Sequence, residues 1–96
     1  MAISDLVRSK RSEILSIAER HGATKVRLFG SVARGEAGEE SDVDFLVEME
    51  RGRSLMDRAA LMLDLERLLE RRVDVATERG LKESLRKGIL AEAIPL

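Results

Sequence analysis

This sequence predicts an α+β fold: a small mixed β-sheet with helices packed mainly on one face. Three observations carry the prediction. Apolar residues recur at helical spacing near both ends and in the middle of the chain. Three short stretches between them alternate apolar and polar residues, as half-buried strands do. The resulting order, helix, strand, strand, helix, strand, helix, gives a sheet that needs helices to cover its apolar side. At 96 residues the chain is expected to be one domain over 1–96, with little stability to spare.

The elements follow in order. Ser4 or Asp5 can cap a first helix reaching about His21, with Val7, Ile14, Ile17 and Ala18 on one side and Gly22 as its stop. Thr24 to Phe29 reads as a strand, Val26 and Leu28 alternating with Lys25 and Arg27. Gly30-Ser31 then opens one short helical turn to Arg34, and Gly35 and Gly38 mark a loop kept soluble by Glu36, Glu39 and Glu40. Asp42 to Glu48 is the second strand, with Val43, Phe45 and Val47 on one face and Asp42 and Asp44 on the other. Ser54 caps a long helix reaching about Glu70, whose leucines and methionines surround the axis and leave part of it needing cover from the terminal helices or another chain. Val73 to Ala76 is a third strand, with Asp74 opposite its valines, and Leu81 to Ile94 is helical in composition. The closing Ala93-Ile94-Pro95-Leu96 fills the core or docks elsewhere.

Composition narrows the function. Seventeen basic residues nearly cancel eighteen acidic ones, so the net charge of -1 gives no field for gripping a polyanion. Phe29 and Phe45 are the only aromatic residues, which leaves almost no platform for stacking bases, and direct nucleic-acid binding is not expected. The absence of cysteine excludes a disulfide framework and a thiolate zinc site. No apolar run is long enough for a signal peptide or a membrane span, and the expected location is the cytoplasm.

The informative stretch is LFGSVARGEAGEESDVDFLVE, Leu28 to Glu48. Side chains two apart on a strand leave the backbone on the same side, about 6.6 Å from one another. Two carboxylates so placed can lean inward to share divalent ions, and Asp74, from the next strand, completes the set if the valines of both strands face the helices. Without cations the three would repel and raise one another's pKa, so magnesium, which takes oxygen ligands and keeps substrate phosphates in its shell, is the natural counterpart. Gly30 lets the backbone approach a ligand closely, the amides that follow and the Ser31 hydroxyl can hold an anion, and Arg34 can add a charged contact. These residues describe a cleft for a metal-bound triphosphate.

Gly30-Ser31, ten intervening residues and Asp42-Val43-Asp44 resemble the G-S-x10-D-x-D signature of the nucleotidyltransferase superfamily, which includes DNA polymerase beta and the kanamycin nucleotidyltransferases. Ala33-Arg34-Gly35-Glu36, Ser41 and Asp74 extend the likeness. Over nearly its whole length the chain resembles the minimal nucleotidyltransferases, antitoxins that act beside HEPN-domain toxins. The resemblance implies a polymerase beta-like core and transfer of AMP from ATP, with two Mg2+ ions, to a tyrosine of the partner toxin. It implies that Asp42 and Asp44 bind both metals, that Asp74 holds the catalytic metal beside the attacking hydroxyl, and that Gly30 and Ser31 grip phosphate. The chain contains no tyrosine, so a tyrosine acceptor must belong to another protein. No counterpart of the helical second domain of larger superfamily members is expected within these 96 residues.

Two rival readings use the same residues. One is an antitoxin that occludes its partner without chemistry; the other transfers nucleotide to RNA or a small molecule, against which the neutral charge and scarce aromatics count.

Overall fold

The computed structural model describes residues 3–38 and 41–96. Glu39 and Glu40, read above as solubilising the loop, lie outside the described residues. Four strands form one mixed sheet: β1 (Ala23–Phe29), β2 (Val43–Met49), β3 (Val73–Thr77) and β4 (Ile94–Pro95), in the order β3-β2-β1-β4. β1 runs antiparallel to both β2 and β4, while β2 and β3 are parallel. Among the described residues five α-helices accompany them: α1 (Ile3–Ser9), α2 (Arg11–Arg20), α3 (Gly30–Arg34), α4 (Leu55–Leu69) and α5 (Glu83–Glu92).

The expected first helix is two. α1 ends at Ser9, whose hydroxyl donates to the Leu6 carbonyl at 2.7 Å, and α2 restarts at Arg11. A side-chain hydroxyl bonded back to its own helix competes with the backbone ladder, and here it coincides with the break. The predicted apolar stripe still points inward: Val7, Ile14, Ile17 and Ala18 are all buried. His21, at the end of α2, is tied to Asp64 of α4 through Nε2 at 2.6 Å, which pins the two helices together.

α4 begins as its serine indicated. The Ser54 hydroxyl accepts from Met56 N at 3.2 Å while Asp57 Oδ2 accepts from Ser54 N at 2.8 Å, so side chains satisfy both orphan donors. Leu61, Leu65 and Leu69 form the buried stripe, and Leu55, Met56 and Leu63 stay exposed, uncovered by the terminal helices. Glu70 closes the helix in the left-handed conformation.

Val43, Phe45 and Val47 join Leu28, Val73 and the buried residues of α1, α2 and α4 in one core. The other face of β2 is not left open. Leu46, on the aspartate side, is fully buried outside that core, between Arg27 of β1 and Ala76 of β3 in register. α5 stays off the main core and has no buried residue. It is tethered at one end by Arg86, whose Nη2 donates to the Glu78 carbonyl just past β3. The terminal residues form β4, a short edge strand beside β1. Pro95 is tolerated there because an edge need not use every amide. Leu96 N donates to the Val26 carbonyl and Arg11 Nε to the Leu96 carbonyl.

Candidate active site

β1 ends opposite Asp44, since Phe29 and Asp44 are register partners. The chain then turns at Gly30 with φ of +74°, a conformation that glycine alone adopts at little cost, and enters α3. A β-carbon on Gly30 would collide with Asp44 Oδ2 and approach its Cγ to 3.2 Å. The missing side chain therefore serves two ends, the turn itself and the close approach of backbone to carboxylate. Gly30→Ala is expected to push the Asp44 carboxylate out of place. The cost should be more than about 1 kcal/mol of stability from the left-handed φ and tenfold or more in any reaction at the site. Thermal melts and a turnover assay on the same sample check both.

Asp74 is the direct register partner of Asp44 across the parallel β2–β3 pair. The start of β3 is held by Glu66 of α4, whose Oε2 accepts from Val73 N at 3.1 Å, and by Val43 N donating to the Arg72 carbonyl at 2.9 Å. With Val43 and Val73 in the core, the period of two turns both aspartates to the other side. Asp42 lies just before β2 and is exposed. It acts on Asp44 through charge at longer range. Gly30, Ser31 and Arg34 are the first, second and last residues of α3. The structure thus gathers Gly30, Asp44 and Asp74 at one edge, with Arg34 near enough to favour the ionised Asp44 and Asp42 at the margin.

Electrostatics reflect this crowding. Partial burial, then the charge of Asp74 and its hydrogen-bonding proximity, then Asp42, push the Asp44 carboxyl up to about 6 from its ordinary 3.8. A folded-state pKa above the unfolded one means that the native protein holds the proton more tightly. In the metal-free protein, this contribution to stability is full below pH about 4 and is lost as pH rises through about 6. Allowing for solvent screening of a half-exposed group, the loss is about 1 kcal/mol. Melting curves in chelator at pH 5 and pH 7 should show the loss in the parent chain and a smaller one in Asp74→Asn.

Among the described residues, no group of three His, Cys, Asp or Glu side chains is drawn together closely enough to enclose an ion. The donor set fits magnesium on different grounds. Two adjacent carboxylates are what that ion commonly takes from a protein when phosphates and waters complete its octahedron. A cleft of about 700 Å³ lies at the far end of β2, with Glu48, Arg53 and Arg86 in its wall, and includes none of the predicted residues. A smaller one, about 450 Å³, includes Arg34.

One residue here escaped the sequence. Glu92, the last of α5, accepts from Gly30 N at 3.0 Å through Oε1 and from Arg34 Nη1 at 3.0 Å through Oε2. Both bonds hold its carboxyl below the usual range, the Gly30 amide contributing most. Arg34 also donates from Nε to Glu36 Oε2 at 2.9 Å, which gives Glu36 a defined contact. No spacing rule links Glu92 to Gly30, and only the path of α5 joins them.

Residues 11–96 match the family model of the nucleotidyltransferase domain. Protein adenylyltransferase MntA of Thermococcus cleftensis is 42% identical over 78 residues, which are 81% of this chain and 79% of the relative. A Methanocaldococcus jannaschii protein, provisionally named a protein adenylyltransferase, is 40% identical over 84 residues, 88% of this chain and 90% of the relative. Among solved structures, a chain provisionally described as a minimal nucleotidyltransferase superposes with a TM-score of 0.88 at 55% identity, covering 100% of this chain and 97% of the other. A toxin–antitoxin crystallised with AMP-PNP shares the fold at a TM-score of 0.75 and 21% identity, over 88% of this chain and 69% of the other.

Proposed function

Because the chain belongs to the nucleotidyltransferase domain family and is similar to the minimal nucleotidyltransferases, we propose that it is a magnesium-dependent protein adenylyltransferase: an antitoxin that moves AMP from ATP to a hydroxyl, a tyrosine's, on a HEPN-family toxin. The observation that carries the reading is the direct pairing of Asp44 with Asp74 beside a Gly30 turn that has no room for a side chain. The relatives named as protein adenylyltransferases support a protein acceptor, and the fold shared with a toxin–antitoxin supports the setting. We further assign residues 1–96 to one domain working in the cytoplasm. Among the described residues no helix is long and apolar enough to cross a membrane.

In this mechanism the acceptor oxygen attacks the α-phosphorus of ATP. A new O–P bond forms, the bond to the bridging oxygen of the β-phosphate breaks, and pyrophosphate leaves with that electron pair. Asp74, exposed on its strand, accepts the proton of the attacking hydroxyl. Asp42, Asp44 and Asp74 are the residues that would hold two Mg2+ ions, which when bound would neutralise the triphosphate and lower the pKa of the hydroxyl. Gly30 N–H and the Ser31 hydroxyl bind phosphate oxygens, and Arg34 supplies a charged hydrogen bond. A rigid strand fixes Asp44 better than a loop would, which answers why a core strand carries an acid.

Occlusion without transfer draws on one feature, the exposed Leu55, Met56 and Leu63 on α4. Intact-mass measurement of both chains after incubation of the co-purified pair with Mg2+ and each NTP separates the readings. A gain of one or more nucleotide monophosphates on the partner supports transfer. Full neutralisation by an Asp42→Ala, Asp44→Ala double variant, with no mass gain, supports occlusion.

A further inference from the structure

We propose that the Glu92 carboxylate occupies the phosphate-binding turn as an internal stand-in for the nucleotide, so that ATP binds by displacing the end of α5. The inference rests on the assignment of Gly30 and Arg34 to phosphate binding and adds a competitor built into the same chain. Its two oxygens each accept one hydrogen bond at 3.0 Å, from two of the three donors assigned above to phosphate. Carboxylate and phosphate are both oxyanions suited to an amide and a guanidinium, so one group excludes the other from these donors. The Glu92 carboxylate makes no other hydrogen bond or ion pair among the described residues.

The segment that carries Glu92 is built to yield. α5 has no buried residue, and Leu85 on it is 54% exposed. Beyond it β4 is two residues long, and Ile94 is 47% exposed. Elements with few buried contacts open at low free-energy cost. The polar anchors on either side, Arg86 to the Glu78 carbonyl and Arg11 to the Leu96 carbonyl, do not involve Glu92, so the end of α5 can leave the turn while both remain. Without nucleotide, Glu92 neutralises Arg34 and satisfies the Gly30 amide, at the cost of weaker apparent ATP affinity, since only the released fraction binds.

The test uses the full chain and its Glu92→Gln variant, which keeps the size of the side chain and removes its charge. Calorimetric titration with ATP in Mg2+ is run on both, with hydrogen exchange of α5 followed in the parent. Tighter binding by the variant, about three- to tenfold as expected for loss of an exposed charge-assisted pair, together with faster exchange of amides 89–94 on ATP addition, supports the proposal. Equal or weaker binding by the variant, or unchanged exchange in an ATP-bound parent, overturns it and leaves the nucleotide site standing, with Glu92 a residue that merely braces the turn. Absence of ATP binding by both chains overturns the phosphate assignment, and this inference falls with it.

Discussion

Asp74→Ala is expected to lower nucleotidyl transfer by more than about a hundredfold while leaving the chain folded. Loss of groups that only orient metal ligands already costs about 10–100-fold, and a ligand that also takes the proton should cost more. The fold should survive because Asp74 is exposed, contributes nothing to the core, and stands beside Val73, which remains to be buried. Removal of its charge also relieves Asp44, whose carboxyl is pushed up first by partial burial and then by Asp74. The variant should therefore melt no lower than the parent in chelator at pH 7. Asp42→Ala and Asp44→Ala should lose transfer as well. Measuring transfer and melting temperature on the same preparations checks the claim, and near-parental transfer by Asp74→Ala would remove that residue from the mechanism.

Phe45→Ala should have the largest effect on stability. The ring is fully buried, with Leu28 and Val75 as register partners on either side. Truncating a buried phenylalanine costs about 3–5 kcal/mol in lost transfer energy and cavity formation. A small domain holds about 5–15 kcal/mol in all. At roughly 4–8 °C per kcal/mol for a chain of this size, the midpoint should fall by about 12–40 °C. Because Phe45 adjoins Asp44 in sequence, the variant should lose transfer together with its fold. Phe45→Leu should retain most of both, and urea unfolding of the three chains is the check.

The sequence was most readable where local rules and burial agree. Alternation around Phe45 placed Asp44 opposite the core residues of β2, and the β2–β3 register then set Asp74 beside it. Ser54 announced α4 because a cap is a local device with a local partner, Asp57. Strand ends drifted by a residue: β2 starts at Val43 rather than Asp42, which leaves Asp42 outside the ladder. The break between α1 and α2 was invisible because a single serine bond, not a glycine or proline, accompanies it. β4 was missed because two residues carry no period, and only the free edge of β1 makes them a strand. Leu46 interrupts the polar face of β2, and its burial depends on neighbours that alternation cannot foresee. Glu92 lies 62 residues from Gly30, and its role depends wholly on where α5 ends.

The aspartates beside the Gly30 turn are expected to hold divalent ions together with a triphosphate. Calorimetric titration of Mn2+ into the chain in the presence of ATP tests this most directly. Saturable uptake that disappears in Asp44→Ala is the predicted result; no uptake by the parent chain, or equal uptake by the variant, would contradict it.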